Sequence, residues 1–135
     1  MWEKDININD VREIRTRTPV FFGVGAIKKI DDIARDLKSK GIDKVIVMSG
    51  RNAYKATGAW DYVEKALKDN SIGYVNYDQV TPNPTTHHVN EAAKIARDFG
   101  AKAVIAIGGG SPTDAGKSVA ILMEYPDKNA NDIYE

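Results

Sequence analysis

The chain has 135 residues, 42% hydrophobic and 28% charged, the proportions of one ordinary folded domain rather than a disordered segment. Lys and Arg total 19, as do Asp and Glu, and no basic stripe breaks the balance, which argues against a nucleic-acid partner. Cysteine is absent, which excludes disulfides, thiolate metal sites and cysteine nucleophiles, and the best apolar runs (103–107 and 119–123, five residues each) are too short to cross a membrane.

The first residues, Met-Trp-Glu-Lys-Asp-Ile-Asn, lack the basic head and apolar core of a secretory signal, so a cytoplasmic location is the expectation. The stretch to Thr18 is polar, with apolar residues too irregular to assign. Val20, Phe21 and Phe22, between Pro19 and Gly23, predict a short strand. Ile27, Ile30, Ile33, Ala34 and Leu37 then form one apolar stripe, an amphipathic helix that Gly41 is placed to end. Residues 45–48 form an apolar run suited to a buried strand, followed by Ser49, Gly50, Arg51 and Asn52 as turn residues. Ala59, Trp60, Val63, Ala66 and Leu67 supply a second helical stripe. After Gly73 comes a strand over 74–78. Val89, Ala92, Ala93, Ala96 and Phe99 make a third stripe closed by Gly100. A strand over 103–107 and a helix from 112 to about 124 complete the pattern. Strand starts near 45, 74 and 103 are 29 residues apart, about one βα unit. Short apolar strands alternating with helices predict an α/β fold, a Rossmann-like parallel sheet with helices on both faces, in a single domain over 1–135.

The most informative segment is Gly108-Gly109-Gly110-Ser111-Pro112-Thr113-Asp114, directly after a predicted buried strand and directly before a predicted helix. Three glycines let the backbone turn sharply and approach a ligand without side chains in the way. Ser111 reads as an N-cap, Pro112 as the first helical residue and Asp114 as the partner in a capping-box-like arrangement. Free backbone N–H groups and the positive end of the helix dipole then make an anion site suited to a pyrophosphate. The bland alternative is a glycine-rich connection, but three consecutive glycines exceed what a turn needs. The continuation Gly116-Lys117-Ser118 is similar to the P-loop of nucleotide hydrolases. That motif needs a glycine five residues before Gly116, where Ser111 stands, and it puts the lysine at the start of the helix.

The run from Gly108 to Lys117 resembles the phosphate loop of the iron-containing (group III) alcohol dehydrogenases. Phe21-Phe22-Gly23-Val24-Gly25-Ala26-Ile27 is similar to that family's early strand and turn. Thr81-Pro82-Asn83-Pro84-Thr85 is similar to a later loop, and Asp132-Ile133-Tyr134 to the segment after the phosphate-loop helix. The resemblance covers nearly the whole chain and implies the dehydroquinate synthase-like N-terminal, dinucleotide-binding domain. The family's helical, metal-binding C-terminal domain has no counterpart in these residues. It further implies hydride transfer between an alcohol or aldehyde and a nicotinamide cofactor, with a divalent metal, Fe or Zn, expected only in a full-length protein. By position, Gly109, Gly110 and Ser111 would hold the pyrophosphate, Asp114 would lie toward the nicotinamide, and Asn83 would line the same cleft. Lys117 matches a recurrent family lysine. The 135 residues alone are expected to bind cofactor weakly, to lack turnover and to be capable of forming homo-oligomers. Two other readings stand beside this one: a stand-alone nucleotide-binding module without catalysis, and a glycerol dehydrogenase-like relative.

His87 and His88 are adjacent, so on a helix they point about 100° apart and are poorly placed to chelate one ion. They read as surface histidines at a helix start, and no metal site is expected here. The residue just beyond an early strand of a parallel nucleotide-binding sheet often reads the adenosine ribose; a carboxylate there repels a 2′-phosphate. This chain has Ser49, Gly50, Arg51 and Asn52 where NAD-preferring family members often carry an aspartate. NADP is therefore the favoured cofactor over NAD, with Arg51 or Ser49 contacting the phosphate.

Overall fold

The computed structural model describes residues 11–14, 18–82 and 85–133. A short antiparallel pair comes first: β1 (Arg12–Ile14) and β2 (Val20–Phe22), with Arg12 opposite Phe22. A 3-10 turn at Ala26–Lys29 leads into α1 (Ile30–Ser39). The main layer is a parallel sheet of β3 (Lys44–Ser49), β4 (Gly73–Tyr77) and β5 (Ala103–Ile107) in the order β4-β3-β5. Between them run α2 (Ala53–Ala56), α3 (Ala59–Asp69) and α4 (Thr86–Phe99), and α5 (Gly110–Glu124) and α6 (Ala130–Ile133) follow.

The predicted α/β architecture is present. β3 has β4 on one side and β5 on the other, in register Val45↔Tyr74 and Val45↔Ala103, and residues 45–49 are buried. Full burial on both faces is why this strand reads as an unbroken apolar run rather than an alternating one. Successive side chains still point to opposite faces. Val45 and Val47 pack with Ala34, Trp60, Val63, Ala66 and Leu67 of α1 and α3, whereas Ile46 and Met48 pack with Val89, Ala92, Ala96, Val119 and Leu122 of α4 and α5. The crossover from β3 to β4 and the one from β4 to β5 step in opposite directions across the sheet. With one handedness for both, their helices fall on opposite faces.

Boundaries differ from the sequence reading in several places, β4 running Gly73–Tyr77 rather than 74–78, and three of the differences have a local reason. Ser49 is not in the turn but is the last residue of β3, paired with Ile107 and 1% exposed. The single turn α2 was not anticipated, since four residues are too few to show a helical period. Helix α5 starts at Gly110 with Gly109 as its N-cap, so Ser111 is not the cap and Asp114 closes no capping box. The capping box lies instead at α4: Thr85 Oγ1 accepts from the His88 N–H at 3.4 Å, and His88 Nδ1 accepts from the Thr85 N–H at 3.2 Å. Gly41 and Gly100 follow α1 and α4 as expected.

Candidate functional site

Strand order β4-β3-β5 means that the chain leaves β3 in one direction and returns on its other side. Such a reversal opens a crevice at the carboxyl ends of the strands, where the following loops diverge. An open cleft of about 650 Å³ lies there, bounded by Gly50, Arg51 and Asn52 after β3, Val80, Thr81 and Pro82 after β4, and the run from Ile107 to Pro112 at the end of β5.

The glycine loop forms one wall. Gly108 has φ +138°, and a Cβ on it would sit 2.9 Å from Pro112 Cγ, so the position admits only glycine without strain. A Cβ on Gly109 or Gly110 would meet nothing within 4 Å, which leaves their backbone bare toward the cleft. The N–H groups of Gly110 and Ser111 are in the first turn of α5, with no acceptor inside the helix and no backbone acceptor elsewhere among the described residues. Six residues into α5, Gly116 lets the helix lie close on β5: a Cβ there would press Ala106 Cβ and Val104 Cγ1 at 3.3 Å. Backbone donors, helix dipole and close helix–strand packing together form a nest of the kind that suits an anion.

Hydrogen bonds hold the walls in place. The Val80 N–H donates to the Ser49 carbonyl at 3.3 Å, joining the loop after β4 to the end of β3. Ser111 Oγ donates to the Pro82 carbonyl at 2.9 Å, joining that loop to the glycine loop. Thr113 Oγ1 donates to the Gly109 carbonyl at 2.9 Å. The wall after β3 is anchored from behind by α2, whose Tyr54 is 3% exposed and packs edge-on to Trp60 at 5.7 Å; Trp60 packs likewise against Tyr74 at 5.3 Å. At the end of β4, the buried Tyr77 hydroxyl donates to Glu91 Oε2 at 3.0 Å. Burial, and then the Glu91 carboxylate, push the Tyr77 phenol well above the usual tyrosine range, so it stays a neutral donor tying β4 to α4.

Of the residues singled out in the sequence, Gly50, Arg51, Gly109, Gly110 and Ser111 converge on the cleft. Ser49 does not reach its surface, and its carbonyl serves a structural bond. Asp114 and Lys117 are exposed on α5 and are not among the lining residues. Asn83 lies outside the described residues, as does Tyr134. Asn52, Val80 and the Pro82 carbonyl were not singled out as wall residues; their signal was position, each following a strand's carboxyl end. His87 is exposed and lies 3.7 Å from Glu91, while His88 Nδ1 is engaged in the helix cap. Among the described residues no set of three or more His, Asp or Glu could hold a metal ion, and no helix is long and apolar enough to cross a membrane.

Comparison with known proteins agrees with this fold. The family model for iron-containing alcohol dehydrogenases matches residues 17–135. Over all 135 residues the chain is 56% identical to the long-chain primary alcohol dehydrogenase of Thermoanaerobacter ethanolicus, of which it covers 34%. It is 39% identical over 116 residues, 86% of its length, to NADH-dependent butanol dehydrogenase B of Clostridium acetobutylicum, covering 28% of that protein. It superposes on the crystal structure of an iron-containing alcohol dehydrogenase from Thermotoga maritima with a TM-score of 0.72 and 30% identity, over 80% of this chain and 30% of that one. The chain thus spans about a third of the length of the curated relatives it matches. The glycine nest at the sheet's switch point and the matches along the sequence lead to one conclusion: the chain belongs to the iron-containing alcohol dehydrogenase family.

Proposed function

We propose that these residues form the dinucleotide-binding part of an NAD(P)-linked alcohol dehydrogenase, and that the cleft over β3 and β5 receives the cofactor. The observation that carries the reading is the nest of Gly109, Gly110 and Ser111, its two glycines bare of side chains toward the cleft, at the opening of a fifteen-residue helix. Backbone N–H groups there suit the diphosphate, and the loop Gly50–Asn52, which lines the same cleft after β3, stands where such folds read the adenosine ribose. When bound, the nicotinamide ring supplies the hydride chemistry that links an alcohol to its aldehyde. The chain's own contribution is to bind and orient the cofactor. The residues described offer no metal-ligand set, so no step of the reaction is assigned to a metal here.

For the cofactor we favour NADP. Arg51 is the one charged residue among the described residues that line the cleft, and no carboxylate there would repel a 2′-phosphate. A relative named as NADH-dependent stands at 39% identity, so the preference of this chain rests on its own loop. Calorimetry with NADPH and NADH tests it. A charge-assisted contact to the 2′-phosphate favours NADPH by about tenfold or more, and Arg51→Asp should reverse the order. Tighter NADH binding by the wild-type chain would reject the NADP assignment. In the same preparations, we expect cofactor binding without alcohol turnover from these 135 residues alone; measurable aldehyde formation would overturn that expectation.

A further inference from the structure

We propose that Ser111 acts as a positioning residue, a latch across the cleft, and that its hydroxyl does not donate to the cofactor. This inference rests on the reading that the cleft receives a dinucleotide, and it reassigns one residue of that site. A serine hydroxyl carries a single donor hydrogen. Here that hydrogen goes to the Pro82 carbonyl at 2.9 Å, across 29 residues of sequence, from the first turn of α5 to the loop after β4. Toward a phosphate the Ser111 oxygen then offers only lone pairs, which repel anionic oxygens. The diphosphate is left to the backbone N–H groups of the nest.

The latch has a counterpart on the other flank of the same loop. The Val80 N–H donates to the Ser49 carbonyl at 3.3 Å, so Val80–Pro82 is pinned to β3 at one end and to the glycine loop at the other. Both pins are bonds of the protein to itself and need no contact with a ligand. On this proposal the two pins set the spacing between the cleft walls, so less of the cost of ordering the loop falls on binding.

The test compares wild type, Ser111→Ala and Ser111→Thr by two readouts. One is amide hydrogen exchange of the segment around Val80 and Thr81 without ligand; the other is affinity for NADPH and NADH. The latch predicts that Ser111→Ala speeds exchange in that segment in the ligand-free chain and weakens both cofactors about fivefold, the scale of one neutral hydrogen bond. Ser111→Thr, which keeps the hydroxyl, restores both. Weakened binding with unchanged ligand-free exchange would show a direct contact to cofactor and overturn the latch. So would an alanine variant that keeps both affinity and exchange. Failure of the wild-type chain to bind either dinucleotide would instead overturn the reading of the site on which the latch depends.

Discussion

Gly108 shows how much one residue decides. Its φ of +138° is open only to glycine, and any side chain would also run into the Pro112 ring. Gly108→Ala should therefore destabilise the fold by about 1–3 kcal/mol in urea unfolding and lower cofactor affinity as the nest shifts; unchanged values for both would show that the loop relaxes freely. Tyr77 gives a second prediction, in pH. Its folded-state pKa lies above the ordinary value of 10.0, chiefly through burial and then through Glu91, so the native chain holds the phenolic proton more tightly than the unfolded chain does. The stability this contributes is complete below pH 10 and is lost as pH rises above it. Wild type should lose more stability between pH 8 and 11 than Tyr77→Phe, and comparison of the two removes the parallel effect of Tyr74, whose pKa is also raised. Equal losses would contradict the assignment. Residues of this kind differ in how legible they were. The glycine triplet declared itself, because backbone freedom is written in residue type. The Ser111 bond did not, because its acceptor is a main-chain carbonyl 29 residues away that any residue would supply.

Among the elements, the strands and long helices follow from periodicity. The unbroken 45–48 run found its place as the central strand, and the Trp60-Val63-Ala66-Leu67 stripe faces the sheet. What periodicity could not show was α2, a single turn that the Ala56 N–H closes on the Asn52 carbonyl at 3.0 Å and that is too short to be stable without tertiary contacts. Its Tyr54 reaches back to Trp60, and through that contact α3 supports the Gly50–Asn52 wall. Trp60→Ala should cost about 3–5 kcal/mol and reduce cofactor affinity by more than an equally destabilising change at Leu67, which is fully buried in the same cluster but near the C-terminal end of α3. Parallel loss of affinity at matched stability would show that α2 plays no part in shaping the cleft. The start of α5 was misread by two residues for a related reason. Ser111 has the chemistry of an N-cap, yet its hydroxyl serves the neighbouring loop, and Gly109 takes the cap position instead.

At the scale of the molecule, strand order determines where function sits. Nothing in the local sequence of any strand states that β3 lies between β4 and β5; the two reversed crossovers do, and they place three loops over one crevice. The sequence therefore indicated the kind of fold, the glycine loop and, through the resemblance, a loop over 81–85 beside the cleft, while Val80 and the Pro82 carbonyl as wall groups emerged only from topology. The central claim is that the Gly109–Ser111 nest grips the diphosphate of a nicotinamide dinucleotide. The most direct measurement is amide chemical-shift mapping of the isotopically labelled chain titrated with NADPH. The account predicts saturable shifts at Gly109, Gly110 and Ser111 together with Gly50, Arg51 and Asn52. Saturable shifts confined to other surfaces, or none at the nest at millimolar cofactor concentrations, would contradict it.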